Sequence, residues 1–171
     1  VDSRDAFHQR LNQRVKLRAG DDPPDGDSVN VDIVPMTDNF YKITAVSQFT
    51  GGAHPVSFWI NEYFSRTTGQ QLTTRDIFDN AKLNQLAAVL YQQVETADSD
   101  ERQCFESSNI TKAVVLEQLQ KLSSVDIMPK GFAVELPMIH ACRAFGSVVG
   151  DWSKLSAYLT PSFRLEVARM R

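Results

Sequence analysis

Three histidines and two cysteines are the residues of this chain whose types could do chemistry. His54 lies in Gly51-Gly52-Ala53-His54-Pro55. An imidazole in such a loop can serve as a general base or a metal ligand, because it titrates near neutrality. It can equally lock the loop through a hydrogen bond, and this structural role is the expected one. His140 precedes Cys142 by two residues. A Cys–His nucleophile pair needs both groups in contact and a third group to orient the base; the sequence offers only the spacing. His8, among arginines, is read as solvated. Glu62 shares its strand register with Phe58, Ile60 and Phe64, which marks it as a paired, partly buried carboxylate. No P-loop, no GxSxG elbow and no HExxH helix occurs. No metal or cofactor is expected, and the chain is read as a non-enzyme. An enzyme with a cryptic site near His54 or His140 is the remote alternative.

The background is that of an ordinary globular protein. The chain has 171 residues, 42% apolar and 23% charged, enough to bury a sizeable core. Eighteen Lys and Arg against 21 Asp and Glu give a net charge of −3. That balance disfavours nucleic acid, whose binders need a basic surface to displace counterions. No apolar run approaches the roughly 20 residues of a bilayer-spanning helix. Cys104 and Cys142 are too far apart for a CxxC redox or zinc pattern. They are open to two readings: one disulfide, which persists in an oxidising compartment, or two buried thiols.

The elements that must position these residues follow from periodicity. Residues 5–18 read as a basic amphipathic helix with Phe7, Leu11 and Val15 in its stripe, packed on the domain edge. An acidic loop over 21–27 follows. Residues 1–27 thus precede a domain spanning 28–171. Alternation predicts strands at 29–33, 40–49 and 56–65, with Thr37-Asp38-Asn39 as a turn. Trp59 and Tyr63 fall on the face opposite Phe58 and Ile60. Both faces are partly apolar, so this third strand is expected to be central or covered on both sides. Gly69 suits a turn that needs positive φ, ahead of a short strand at Gln71-Leu72.

Helices come next. Thr73 or Thr74 caps a turn through Phe78, which is expected to anchor between sheet and helix, and Asp79 or Asn80 caps a longer helix. Leu83, Leu86, Ala87, Leu90, Tyr91 and Val94 repeat at helical spacing. Asp98, Ser99, Asp100 and Glu101 form an exposed acidic stretch, and 111–122 is a second helix with Val115, Leu119 and Leu122 inward. Strands return at Val125 to Ile127, Phe132 to Leu136 and Ser147 to Val149. Ser153 caps a helix over 154–159, and Pro161 punctuates its end. Strands, helices, strands is an α+β order: a mainly antiparallel sheet covered by two or more helices, in a single domain.

Gly51 to Pro55, then a strand, then Thr67-Thr68-Gly69-Gln70-Gln71-Leu72-Thr73-Thr74-Arg75-Asp76-Ile77-Phe78-Asp79, resembles the RsiV/PdaC-type family of extracytoplasmic domains. In that family a GGAH-type loop precedes a strand and a "tG..lt..dlF" hairpin opens the helical layer. A glycine-led strand and a "y..L..yl.p" helix close the domain; here these are Gly131 to Val134 and Trp152 to Pro161. The resemblance runs in order over residues 40–161. One departure is the usual "apya.G" stretch, which is Ile139 to Gly146 here. Another is that neither an anchoring segment nor a deacetylase domain is seen.

The resemblance implies an α+β fold in the cell envelope, periplasmic or otherwise extracytoplasmic, and it favours the Cys104–Cys142 disulfide over free thiols. In RsiV the extracellular part binds lysozyme. The implied partner is therefore a protein, a peptidoglycan-degrading enzyme or toxin, which this chain inhibits, confers immunity to or senses. Lysozymes are often basic, and an acidic partner gains association rate by steering. Loops 21–27, Gly51 to Pro55 and Asp98 to Glu101 are the candidates to occlude a cleft. The expected binding residues are Gly51, Gly52, His54, Trp59, Tyr63, Asp98, Asp100 and Glu101. A second possibility is a binder of peptidoglycan fragments, with Trp59, Tyr63 and the His54 loop as its platform.

Overall fold

The computed structural model describes residues 28–49 and 56–170, with the backbone alone at 28, 29, 47–49, 56–60 and 140. The expected helix over 5–18, the acidic loop over 21–27 and the Gly51 to Pro55 loop lie outside the described residues. The fold is α+β, with two small antiparallel three-stranded sheets and six helices among the described residues. The chain divides into two compact units at Gln71.

The first unit is a meander of β1 (Ser28–Pro35), β2 (Phe40–Phe49) and β3 (Val56–Ser65), in that order across the sheet. The turn between β1 and β2 forms where Thr37-Asp38-Asn39 predicts it: the Asn39 N–H donates to the Thr37 hydroxyl at 3.1 Å. Pairing sets the faces. Val31 lies opposite Ala45, Ile33 opposite Ile43, and Ile43 opposite Glu62. On that face Ile43, Ala45 and Phe64 are buried, and Tyr41 stacks on Phe64 at 5.5 Å. On the other face the Thr44 hydroxyl donates to Asn61 Oδ1 at 3.0 Å.

Among the described strands the central one is β2; β3, expected in the middle or covered on both faces, lies at an edge. Burial on both faces is nonetheless real, since Glu62, Tyr63 and Phe64 in succession are all 3% exposed or less. A strand can be covered above and below without having neighbours on both sides. After β3 the chain turns back through Gly69, whose φ of 67° is the left-handed conformation expected of it. The expected strand at 71–72 is reduced to one bridge, Gln71 to Phe64.

The second unit opens with α1 (Thr74–Ile77). The Asp76 carboxylate accepts from both the N–H and the hydroxyl of Thr73 at 2.7 Å, which closes its first turn. Asp79 caps a 3₁₀ turn over Asn80–Lys82 that leads into α2 (Leu83–Glu95). Leu83, Leu86, Ala87, Leu90 and Val94 are buried, the stripe read from the sequence, with Tyr91 half-buried. Next come α3 (Ser99–Ser107) and α4 (Lys112–Gln120). Thr111 caps α4, and Val115 and Leu119 face inward. Leu122 does not extend that stripe: α4 stops at Gln120, and a 3₁₀ turn over Leu122–Ser124 breaks the periodicity.

The second sheet is β4 (Val125–Met128), β5 (Gly131–Glu135) and β6 (Ser147–Asp151). Phe78 is fully buried and meets Phe132 of β5 edge-on at 5.1 Å, the anchor expected of it. Phe132 continues to Trp152 at 4.9 Å, and Trp152 to Phe163 at 5.8 Å. The Trp152 indole N–H donates to the Met128 carbonyl at 2.9 Å, so the ring is buried without an orphaned donor. Gly150 makes room for this row: a Cβ there would overlap the Phe132 ring.

Two expectations near the C-terminus change. The helix after β6 is α5 (Trp152–Leu155), capped by Asp151, and a 3₁₀ turn over Ser156–Tyr158 completes the segment read as one helix. Pro161 starts a helix, α6 (Pro161–Val167), with Thr160 as its cap. Proline has no N–H to lose at the first helical position, so a Thr-Pro pair reads as a start as readily as a stop.

Candidate functional site

Three acidic residues and a disulfide build the corner between α2 and α3. Asp98 has extended backbone, and its Oδ1 accepts from the N–H groups of Asp100 and Glu101 at 3.1 and 3.0 Å. Asp100 and Glu101 follow in the first helical turn, where the helix dipole favours negative charge. The Arg102 guanidinium turns back to the carbonyls of Glu95 and Ala97, which closes the C-terminal end of α2. Asp98 and Asp100 stay exposed, and Glu101 is half-buried.

The inner side of α3 is pinned. Phe105 is buried, and Cys104 is bonded to Cys142, 38 residues on, in a 3₁₀ segment over His140–Phe145. The Ile139 N–H adds a bond to the Ser108 hydroxyl at 3.2 Å. Asn109, with φ of 54°, reverses the chain so that the Ile110 N–H returns to the Phe105 carbonyl. The acidic turn therefore sits on a helix held at both ends, and two carboxylates face solvent from a fixed backbone. Such an arrangement can attract and orient a basic surface; it has no nucleophile of its own.

The disulfide changes the chemistry considered for Cys142. Its sulfur is shared with Cys104 and offers no thiolate, and the 140–145 segment is a 3₁₀ turn, not a strand that would align His140 with it. Glu62 is 3% exposed and paired across the sheet with Ile43, in keeping with a buried carboxylate. Tyr63 is fully buried, so its ring belongs to the core and offers no platform to a sugar. Trp59 lies in β3 opposite Val46, while Gly51, Gly52 and His54 fall outside the described residues. The expected binding residues are thus divided between the two units: Trp59 and Tyr63 in the first, Asp98, Asp100 and Glu101 in the second. Among the described residues no group of three His, Cys, Asp or Glu could hold a metal ion.

Sequence reading treated 98–101 as an exposed stretch and missed the helix it starts. The signal was present: Asp98 and Glu101 stand in the D-x-x-E spacing of a helix N-terminus.

An α+β fold with one disulfide is the class these features define. Two solved structures share the fold over most of the chain. One is a DUF3298 family protein from Pseudomonas aeruginosa PAO1, with a TM-score of 0.55 at 14% identity, covering 90% of this chain and 70% of that one. The other is a DUF3298 family member from Bacteroides fragilis NCTC 9343, with a TM-score of 0.51 at 12% identity, covering 97% of this chain and 66% of that one, just under two thirds of its length. No family sequence model and no curated protein matches the chain. At these identities the likeness is one of fold. It meets the expectation drawn from the glycine and hairpin motifs, because DUF3298 proteins are the RsiV/PdaC-type family. The Cys104–Cys142 bond is consistent with an oxidising, extracytoplasmic location. No helix among the described residues is long and apolar enough to cross a membrane.

Proposed function

We propose that this chain is an extracytoplasmic protein-binding domain whose partner is a cell-wall-degrading enzyme, a lysozyme-type muramidase or a hydrolytic toxin, which it inhibits or senses. The observation that carries the reading is the fold shared with DUF3298 proteins, combined with the lysozyme binding known for the RsiV domain. The acidic turn supplies the complementary chemistry. Asp98 and Asp100 are exposed on a backbone fixed by the Asp98 cap and the disulfide, so a basic partner meets a preorganised negative edge.

The test is a titration of the whole chain with a basic muramidase at low and at physiological salt, read by calorimetry and by the rate of peptidoglycan lysis. The expected result is saturable binding that weakens with salt, with lysis slowed in proportion to occupancy. Replacing Asp98, Asp100 and Glu101 by their amides is expected to lower the association rate about tenfold while changing dissociation little. Absence of binding across a panel of muramidases, amidases and endopeptidases at 100-fold excess would remove the proposal's support.

A further inference from the structure

We propose that β1 is the seat of a symmetric contact between two copies of this chain. Residues 30–35 are all exposed, including three β-branched apolar side chains: Val31 at 37%, Ile33 at 54% and Val34 at 40%. Among the described strands β1 pairs with β2 alone, over eight consecutive positions without a bulge. It carries no lysine, and its proline comes only at the end, at Pro35. Those are the devices that normally blunt an edge. The other sheet closes one of its edges, because Gln93 occupies the outer side of β6 with a pair of hydrogen bonds to Val149.

The occupant follows from the order of side chains. Two antiparallel copies related by a two-fold axis normal to the sheet place residues of the same face opposite one another. Three of the registers centred within the exposed stretch, on Val31, Asp32 and Ile33, bring its apolar residues nearest the axis. Centring on Asp32 sets two carboxylates face to face, which is repulsive. Centring on Ile33 sets each Asp32 against Val34. Centring on Val31 sets Val31 against Val31, Asn30 against Asp32 on both sides of the axis, and Ile33 against position 29. Only this register matches amide with carboxylate and apolar with apolar. The strand is complementary to itself, so a second copy is the occupant. The β1–β2–β3 sheets of the two copies then become one sheet of six strands. This contact is independent of the acidic turn on α3.

Sedimentation velocity of the intact chain over 1–200 μM tests the contact. The expected result is a concentration-dependent shift from 19.2 kDa to twice that mass. Ile33→Lys, at an exposed position, is expected to weaken association at least tenfold with an unchanged melting temperature. Val31→Cys fixes the register: oxidation is expected to give a disulfide-linked dimer, with the Cys104–Cys142 bond intact by peptide mapping. Asp32→Cys is expected to form no disulfide-linked dimer under the same conditions. A monomer throughout the range, a dimer indifferent to Ile33→Lys, or cross-linking through Asp32→Cys in place of Val31→Cys would each overturn the proposal.

Discussion

The two sheets of this protein match in strand number and antiparallel order and differ at their margins. In β4–β5–β6 the outer strand β6 is flanked by α2, whose Gln93 side chain donates to the Val149 carbonyl at 2.8 Å and accepts from the Val149 N–H at 3.0 Å. One amide side chain thus takes the place of a neighbouring strand. In β1–β2–β3 the outer strand β1 exposes every residue from 30 to 35. The second sheet also has an aromatic row from Phe78 to Phe163 behind it and a covalent tie beside it. The difference separates two tasks. A margin closed by a side chain supports the fold, and a strand that pairs on one side alone among the described strands is where the proposed contact between copies falls.

The largest effect that could break this comparison is the loss of the aromatic row. Phe132→Ala is expected to cost about 3–5 kcal/mol in urea denaturation, as for a fully buried aromatic residue. Hydrogen exchange then distinguishes the sheets. Protection lost over β4–β6 and kept over β2 would sharpen the contrast; uniform loss would show that both sheets unfold as one. Next is the disulfide. Reduction, or Cys104→Ser with Cys142→Ser, releases a loop of 38 residues and is expected to cost roughly 3–4 kcal/mol, read as a lower urea midpoint in reductant. Gln93→Ala is a smaller change. It gives the two Val149 backbone groups back to water at an expected cost of about 1 kcal/mol, with faster exchange of the Val149 amide. If that amide stays protected, the margin of β6 is not closed by Gln93.

The smallest effect concerns pH. Two bonds from Ser153, hydroxyl and then backbone N–H, hold the Asp151 carboxyl below its ordinary value, helped by Lys154 and opposed by burial. A carboxyl with a lowered folded pKa stabilises the fold above its unfolded value of about 3.9. That contribution fades as the pH falls through the folded value. Asp151→Asn is therefore expected to flatten the acid limb of the melting temperature below about pH 4 and to leave the first sheet's exchange pattern unchanged.

Local chemistry accounts for which parts of this architecture were legible in the sequence. The α2 stripe, the left-handed Gly69 and the Phe78 anchor each express a rule confined to a few neighbours: periodicity, the absence of a Cβ, an apolar residue at a turn. The position of β3 at an edge was not legible, because coverage of both faces by Glu62, Tyr63 and Phe64 looks the same in sequence as a central place in a sheet. The helix α3 was hidden by its polar first turn, and α6 by a proline that can end or begin a helix. For the candidate site, the acidic turn and the cysteine pair could be named from the sequence. The Asp98 cap was written in the local D-x-x-E spacing and went unread, whereas the Cys104 brace depends on Cys142, 38 residues on, and was favoured only through the resemblance.

The stitching of the second unit sets an order of assembly. Phe78 bridges to Leu159, the Asp79 N–H reaches the Tyr158 carbonyl, and the Thr160 hydroxyl reaches Asp76, 84 positions earlier. A chain emerging N-terminus first can zip β1, β2 and β3 from adjacent hairpins, with short loops to close. The second unit must wait until residue 160 has appeared, and it holds Phe78 and the start of α2 unsatisfied in the meantime. Synthesis halted just short of Leu159 would leave Phe78 and Asp76 without these partners and the second unit open to proteases.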